Sequence, residues 1–205
     1  MNQGAFFSLI LASQSPRRKQ LLEGVGFSFR TVSPTGDEAF PERDQAVPVA
    51  KANAVQKAKS VFHSIDVGQD EIVLGSDTLV VLNGHAIGKP VDQEDAKKTL
   101  RLLAGKTHTV VTGVALLSKR WGEKSATAES RVTFRPISEA EIEAYTLLKE
   151  PYDKAGSYAV QGASALFIDK IEGSFSNVMG LPLELLLKML AELTQKSVFD
   201  LFEKR

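Results

Sequence analysis

The segment from residue 9 to residue 22 constrains the fold of this chain more than any other feature. It reads LILASQSPRRKQLL, in which an apolar run is followed by two serines, a proline, two arginines and a helical pattern. Ser15 is suited to be the N-cap of the helix, and Pro16 suits the first helical position, where its missing N–H costs nothing. The positive end of the helix dipole favours an anion there, and Arg17 and Arg18 add donors that match phosphate oxygens. The segment therefore predicts a strand–turn–helix unit with a phosphate site, although an ordinary serine-capped turn with solvated arginines would have the same local sequence.

The composition is typical of one globular domain. Hydrophobic residues make up 43% of the 205 positions, which is enough to bury a core. The chain has no cysteine, which excludes disulfides, thiolate metal sites and cysteine nucleophiles. Its 25 lysines and arginines balance 25 acids, whereas proteins that bind long nucleic acids are usually basic, so we expect no nucleic-acid polymer as a partner. No apolar run is long enough to span a membrane. We interpret residues 6–12 as a buried strand rather than a signal peptide, and therefore expect a cytoplasmic protein.

Helical and extended patterns alternate along the chain. They predict an α/β fold in which a mixed, twisted central sheet is flanked by helices and ligands bind at strand ends. The Asn83-Gly84 pair predicts a hairpin with a two-residue turn. A short apolar strand is expected to end at Ser76-Asp77-Thr78, which would place Asp77 at the end of that strand. Helices are predicted over 47–62, 92–103, 138–149 and 182–193, after a first helix that opens at Pro16. Strands are predicted over 6–12, 27–32, 72–75 with an extended continuation over 79–82, 85–88, 107–118, 126–135, 157–160 and 166–171.

Several predicted turns carry side chains that suit phosphate or metal chemistry. Asp77 could hold a divalent cation or orient a water, and Glu38 could be a second carboxylate. Lys57 and Lys89 offer ammonium groups to phosphate, and Gln161 could read a base edge. Each has an ordinary alternative as a turn cap or a solvated surface group, and the three histidines are dispersed, which favours surface or sheet positions for them. Together, the cations and carboxylates are the groups that phosphoryl or nucleotidyl chemistry needs.

Six motifs in series resemble those of one known family. They are ASQSPRR at 12–18, GSDT at 75–78, GKP at 88–90, DKAG at 153–156, QG at 161–162 and VMGLP at 178–182. In these motifs the chain resembles the Maf family of nucleoside triphosphate pyrophosphatases, once described as septum-formation inhibitors. The resemblance implies a single domain over 1–205, similar to the family as far as about residue 193 and ending in a tail over 194–205. It also implies two lobes around a cleft, as in inosine triphosphate pyrophosphatases, and hydrolysis between the α and β phosphates of a nucleoside triphosphate.

Site roles follow from the same resemblance, motif by motif. Asp77 matches the proton acceptor, and Asp77 with Glu38 would hold Mg²⁺ or Mn²⁺. Positions linked to substrate choice are matched by Arg17, Thr78 and Gln161, and other positions of the pocket by Ser13, Arg18, Glu38, Lys57 and Lys89. From their place in the first turn or their positive charge, we expect phosphate to bind Ser13, Ser15, Arg17, Arg18, Lys57 and Lys89. The resemblance implies a homodimer. In having Lys154 and Gln161, the chain resembles the branch of the family that acts on dTTP and UTP. Modified pyrimidine triphosphates are also expected substrates.

Two other functions remain open on the sequence. A nucleotidyltransferase would also combine a phosphate-binding turn with a metal-binding aspartate, but such enzymes normally have glycines where this chain has Ser13-Gln14-Ser15. A nucleotide-binding regulator of cell division would bind without turnover, and it would not need the carboxylates.

Overall fold

A seven-stranded mixed sheet forms the centre of the fold in the computed structural model, which describes residues 7–197. Its strands run in the order β2-β1-β3-β5-β6-β7, with β4 paired to β3. None of the helices in this part of the chain is both long and apolar enough to cross a membrane. The strands are β1 (Ser8–Ala12), β2 (Phe29–Val32), β3 (Glu71–Leu82), β4 (His85–Ile87), β5 (Thr107–Ser118), β6 (Gly122–Phe134) and β7 (Ile168–Glu172). The helices are α1 (Pro16–Gly24), α2 (Ala46–Ser64), α3 (Gln93–Leu103), α4 (Glu139–Thr146), α5 (Phe175–Met179) and α6 (Leu183–Thr194).

The two faces of the sheet are covered differently. Along β3, successive side chains alternate between the faces, as the pleat requires. On one face, Val73 and Leu79 pack in two apolar clusters that both include alanines of α2. On the opposite face, Leu74 belongs to a cluster with α1 and α6, whereas Val80 belongs to another with α3 and α4. The helices of this opposite face therefore form two groups, which matches the two lobes expected from the family resemblance.

An opening in the sheet lies between these two groups of helices. The parallel pairing of β1 with β3 ends at Gly75, and the antiparallel pairing of β4 with β3 begins at Val80. Residues 76–79 of β3 pair with β5 on the other edge, but the described residues provide no strand partner on this edge. The carboxyl end of β1 and the start of α1 meet this opening. It is the kind of strand end at which mixed sheets bind ligands.

The structure corrects several predicted boundaries. Residues 71–82 form one continuous strand, so Ser76-Asp77-Thr78 is not a turn after a strand, because β5 pairs along the whole segment. Residues 157–160 form no strand, and Leu166 and Phe167 belong to a 3-10 helix over 163–167 that precedes β7. The second long hairpin strand begins at Gly122, four residues earlier than predicted, and α4 ends at Thr146 rather than near residue 149. The short helix α5 was not predicted.

Other predicted features are confirmed. Ser15 and Asp92 take the N-cap positions of α1 and α3, and Asp92 accepts a hydrogen bond from the Asp95 amide. Ser138 and Glu141 form the predicted capping box. The hairpin between β3 and β4 turns at Asn83 and Gly84, both in the left-handed region that a type I′ turn requires. Met1 to Phe6 and most of the predicted tail, residues 198–205, lie outside the described residues.

Candidate active site

A cleft of about 520 Å³ lies at the opening in the sheet. Its walls come from α1, α2 and α5, from β3 and β5, and from the segments that follow β1 and β2 and that span residues 153–160. Of the residues assigned a role from the sequence, all except Gln161 line it. These lining residues are Ser13, Ser15, Arg17, Arg18, Glu38, Lys57, Asp77, Thr78 and Lys89.

The turn between β1 and α1 is fixed by Arg18. Its guanidinium donates to Ser13 Oγ at 3.1 Å and to Thr78 Oγ1 at 3.2 Å, and its Nε donates to the Gly180 carbonyl at 2.8 Å. Burial lowers the pKa of Arg18, while the nearby Asp77 and Glu38 carboxylates act in the opposite direction. Arg18 therefore connects the first turn to β3 and to the end of α5.

Gly180 can accept from Arg18 because it ends α5 in the left-handed conformation, with a φ of 107°. Its carbonyl also accepts from Ser76 Oγ at 3.0 Å. Glycine adopts this backbone conformation without the steric cost that a Cβ would bring. The MGLP segment thus supplies an acceptor at the floor of the cleft.

Asp77 lies at the centre of a buried hydrogen-bond network on the α2 side of the sheet. Its side chain is 4% exposed, and Oδ1 accepts from Lys57 Nζ at 2.7 Å. Oδ2 accepts from Asn53 Nδ2 at 2.9 Å. Lys57 Nζ also contacts Glu38 Oε1 at 2.7 Å, so one ammonium group bridges two carboxylates. The lysine is buried rather than extended into solvent, and it pairs with both acids at the cleft.

Two glycines allow α2 to come close enough for these contacts. A Cβ at Gly75 would lie 2.2 Å from the Ala54 carbonyl oxygen, and one at Gly113 would lie 2.2 Å from that of Ala50. Gly113 is the β5 residue paired with Asp77. Larger residues at these positions would displace the helix and the lysine that it carries.

The carboxylates give a limited donor set for a metal ion. Within residues 7–197, no group of three or more His, Cys, Asp or Glu side chains could hold one. Asp77 and Glu38 do supply hard oxygen ligands at the cleft, and Mg²⁺ is commonly held by one or two carboxylates together with substrate phosphates. The two acids therefore fit a cation shared with a polyphosphate, with Lys57 between them.

Further cations line the cleft. Arg17 approaches Asp153 to 4.0 Å, which brings the start of α1 towards the 3-10 helix over 150–153. Lys154 also lines the cleft, and its ammonium donates to the Glu150 carbonyl at 2.7 Å. Lys89 is exposed at the rim, and no ion pair involving it occurs among the described residues. The cleft thus combines positive side chains from several loops with one buried carboxylate.

Comparisons with known proteins identify the family. The family model of Maf-like proteins matches residues 8–193. The chain belongs to the Maf family. A dTTP/UTP pyrophosphatase of Hahella chejuensis is 45% identical over 175 residues, which cover 85% of this chain and 87% of that protein. One of Bacillus cytotoxicus is 44% identical over 185 residues, covering 89% and 94%.

Two solved structures also show similarity. A nucleoside-triphosphatase (dITP/XTP pyrophosphatase) of Mycobacterium abscessus has a TM-score of 0.39 at 16% identity, covering 64% of this chain and 76% of that one. The Ham1 protein of Staphylococcus aureus has a TM-score of 0.43 at 12% identity, covering 62% and 71%. The assignment to the Maf family rests on the family model and the curated relatives.

In this Maf-family chain, the end of the cleft beyond Thr78 is apolar. Tyr158 lines it, and its hydroxyl lies 2.8 Å from Nε2 of the buried His108. Burial lowers the pKa of His108 to about 4, so the imidazole is neutral at pH 7. Gln161 itself does not line the cleft but follows Val160, which does. The other apolar lining residues at this end are Val80, Val110, Ala155, Ala159 and Val178.

Asn53 is the main site residue of this Maf domain that the sequence reasoning missed. It is 4% exposed, and besides Asp77 it binds both backbone groups of Ala39, at 3.0 and 2.9 Å. It therefore holds the loop that carries Glu38 as well as the carboxylate of Asp77. The available signal was its spacing: Asn53 and Lys57 lie one helical turn apart on an alanine-rich helix, where both face the sheet.

Proposed function

We propose that this chain hydrolyses nucleoside triphosphates, dTTP and UTP among them, to the monophosphate and pyrophosphate. One observation carries the proposal: a buried carboxylate, Asp77, shares a cleft with Arg17 and Arg18 at the start of a helix. This juxtaposition of an acid with donors for several phosphate oxygens suits phosphoanhydride hydrolysis. The dTTP/UTP pyrophosphatases among the relatives, at 41–45% identity, support the choice of substrate.

In the proposed reaction, Asp77 accepts a proton from the attacking water. The water oxygen bonds to the α-phosphorus while the bond to the α–β bridging oxygen breaks, and pyrophosphate leaves. Lys57 and Asn53 each use one lone pair of the carboxylate, which leaves other lone pairs to accept from water. Their contacts hold the carboxylate in one orientation, as a positioned base requires.

The cationic side chains have a separate role in the proposal. Arg17, Arg18, Lys89 and the start of α1 would bind the phosphate oxygens and stabilise the charge that develops on pyrophosphate. Ser13 and Ser15 would add hydroxyl donors from the same turn. Arg18 would keep this turn in place through its bonds to Thr78 and Gly180.

We further propose that a divalent cation, Mg²⁺ or Mn²⁺, takes part, held by Asp77 and Glu38. When bound, such an ion offsets negative charge on phosphate oxygens. We also propose that the protein is a homodimer and that it acts in the cytoplasm. Its substrates there would include modified pyrimidine triphosphates.

A screen of nucleoside triphosphates for pyrophosphate and monophosphate release, with and without Mg²⁺, tests the activity. Release without any acceptor distinguishes hydrolysis from nucleotidyl transfer and from binding without turnover. Asp77→Asn keeps the size of the side chain and should lower kcat by roughly two to four orders of magnitude, because the base is lost. Asp66→Asn is the matched control, because that side chain is 96% exposed and pairs with Lys119 outside the cleft. Wild-type turnover in Asp77→Asn would remove Asp77 from the mechanism.

A further inference from the structure

The turn that carries Gln161 has no helix or strand over residues 159–162, and it ends where the 3-10 helix over 163–167 begins. We refer to residues 159–163 as the Gln161 turn. Ala159 and Val160 line the apolar end of the cleft, and Gly162 has a φ of 107°. A segment of this kind keeps its shape only if side chains from elsewhere bind its backbone.

The carboxylate of Glu150 binds the far end of this turn. Its Oε2 accepts from the Ala163 amide at 2.9 Å, and its Oε1 accepts from the Ser164 amide at 3.2 Å and from Ser164 Oγ at 2.6 Å. It also approaches the turn so closely that a Cβ at Gly162 would lie 2.5 Å from Oε2. Burial acts to raise the pKa of Glu150, but the hydrogen bonds from Ser164 and Ala163 outweigh it, and the pKa lies below its usual value.

Ser164 connects Glu150 to the near end of the turn. The serine is fully buried, and its Oγ accepts from the Ala159 amide at 2.9 Å and lies 2.9 Å from the Ala159 carbonyl oxygen. One hydroxyl therefore closes the loop between residue 159 and residue 164. Tyr145 adds a second connection, because its hydroxyl contacts both Glu150 Oε1 at 3.2 Å and the Ser157 carbonyl at 3.1 Å.

We propose that Glu150 is a positioning residue for nucleobase selection: acting through Ser164, its carboxylate holds the Gln161 turn against the apolar end of the cleft. The inference rests on the proposed function, and it assigns to Glu150 the positioning of the cleft wall at Ala159 and Val160, against which the nucleobase would bind. Glu150 contacts no phosphate-binding residue through its carboxylate among the bonds of the described chain. Its loss should therefore change which nucleotide is accepted more than how fast the preferred one reacts.

The test compares kcat/KM for dTTP with that for dGTP in Glu150→Gln and Ser164→Ala. The ratio should fall by about tenfold in each variant, because a wall that is out of place no longer rejects the larger base. The kcat for dTTP should stay within about threefold of wild type, since the buried acid and the first turn are untouched. The double variant should lose little beyond the larger single effect, because both changes break one linkage.

Glu143→Gln is the matched control. Glu143 is a glutamate of the neighbouring helix α4 whose carboxylate pairs with Lys97 Nζ at 2.7 Å, and none of the hydrogen bonds of the described residues joins it to the Gln161 turn. Its ratio should equal that of wild type. Circular dichroism of each variant checks that it is folded, and if Glu150→Gln does not fold, the milder Ser164→Ala decides the result.

Three results would overturn the inference. An unchanged ratio in folded Glu150→Gln and Ser164→Ala, or an equal loss on both nucleotides, would leave these residues with only a structural role. A wild type that hydrolyses dTTP and dGTP equally well would show that the wall selects nothing. If the wild type releases no pyrophosphate from any triphosphate, the proposed function itself is wrong and the inference falls with it.

Discussion

Replacement of Lys57 by methionine would show how far the buried carboxylate depends on its cation. Methionine fills a similar volume but carries no charge. Asp77 would keep its bond to Asn53 but lose its ion pair with the ammonium group, while remaining 4% exposed. Glu38 would also lose its partner, but its side chain is 56% exposed and water can replace the ammonium group.

The expected cost follows from this asymmetry. Removing one member of a buried ion pair typically costs about 3–5 kcal/mol, because the other charge is left uncompensated. Asp77→Asn should cost less, about 1–2 kcal/mol, because Lys57 keeps Glu38 as a partner beside solvent. In the double variant neither member of the Lys57–Asp77 pair is left as an unpaired buried charge, so its loss should be about 2 kcal/mol smaller than the sum of the single losses.

Urea unfolding at pH 7 measures the free energy of unfolding of Lys57→Met, of Asp77→Asn and of the double variant, each relative to wild type. Lys51→Met is the control, since Lys51 is an exposed residue of the same helix, and it should change the free energy of unfolding by no more than about 0.5 kcal/mol. A loss below about 1 kcal/mol in Lys57→Met would refute the reasoning, as would single losses that add within about 0.5 kcal/mol in the double variant.

Two further predictions concern the framework around the cleft. The pKa of His108 is lowered from 6.5 to about 4, so the unfolded chain takes up the proton first as the pH falls. Between pH 7 and pH 5, this group should lower the free energy of unfolding by about 2 kcal/mol. When the free energy of unfolding is measured with urea at several pH values, His108→Gln should reduce this fall, whereas His63→Gln, at an exposed position, should not. An unchanged fall in His108→Gln would contradict the prediction. Gly113→Ala should destabilise the protein by about 1–3 kcal/mol and reduce triphosphate hydrolysis, because the new Cβ would meet α2. Gly24→Ala, which meets nothing within 4 Å, is the control, and equal behaviour of the two alanine variants would argue against close packing as the cause.

Local chemistry explains which elements could be predicted from the sequence. The caps at Asp92 and Ser138 depend on side chains that bind amides three residues away, and short-range patterns of this kind survive in any tertiary context. The start of α1 was also predictable: Ser15 takes the N-cap position and Pro16 the first turn, although the Ser15 side chain makes no capping hydrogen bond.

The errors arise where distant strands or side chains determine the local structure. Ser76, Asp77 and Thr78 are residue types that favour turns, but nine consecutive β3 residues pair with β5 and keep the segment extended. Residues 157–160 were predicted as a strand, but Ser157 has a φ of 59°, which takes the chain out of the extended conformation. Neither the register of β5 nor the contacts of Glu150 can be obtained from a short window of sequence.

The candidate site shows the same division. Its members were found from motifs, and nine of the ten lie along one cleft. Their mutual contacts were not predicted, above all the position of Lys57 between two acids, because they depend on how closely α2 approaches the sheet. Gln161 does not line the cleft, although Ala159 and Val160 of the same turn do.

The opening beside residues 76–79 has a consequence for how substrate preference can change. Asp77 and Thr78 are neighbours on one strand but face opposite sides of the sheet, towards α2 and towards Gly180 respectively. Their separation is set by the backbone of a strand that is anchored along its other edge by β5. Loops around the opening can therefore vary in length and composition, and admit different nucleotides, while the acid and the hydroxyl stay at a constant spacing.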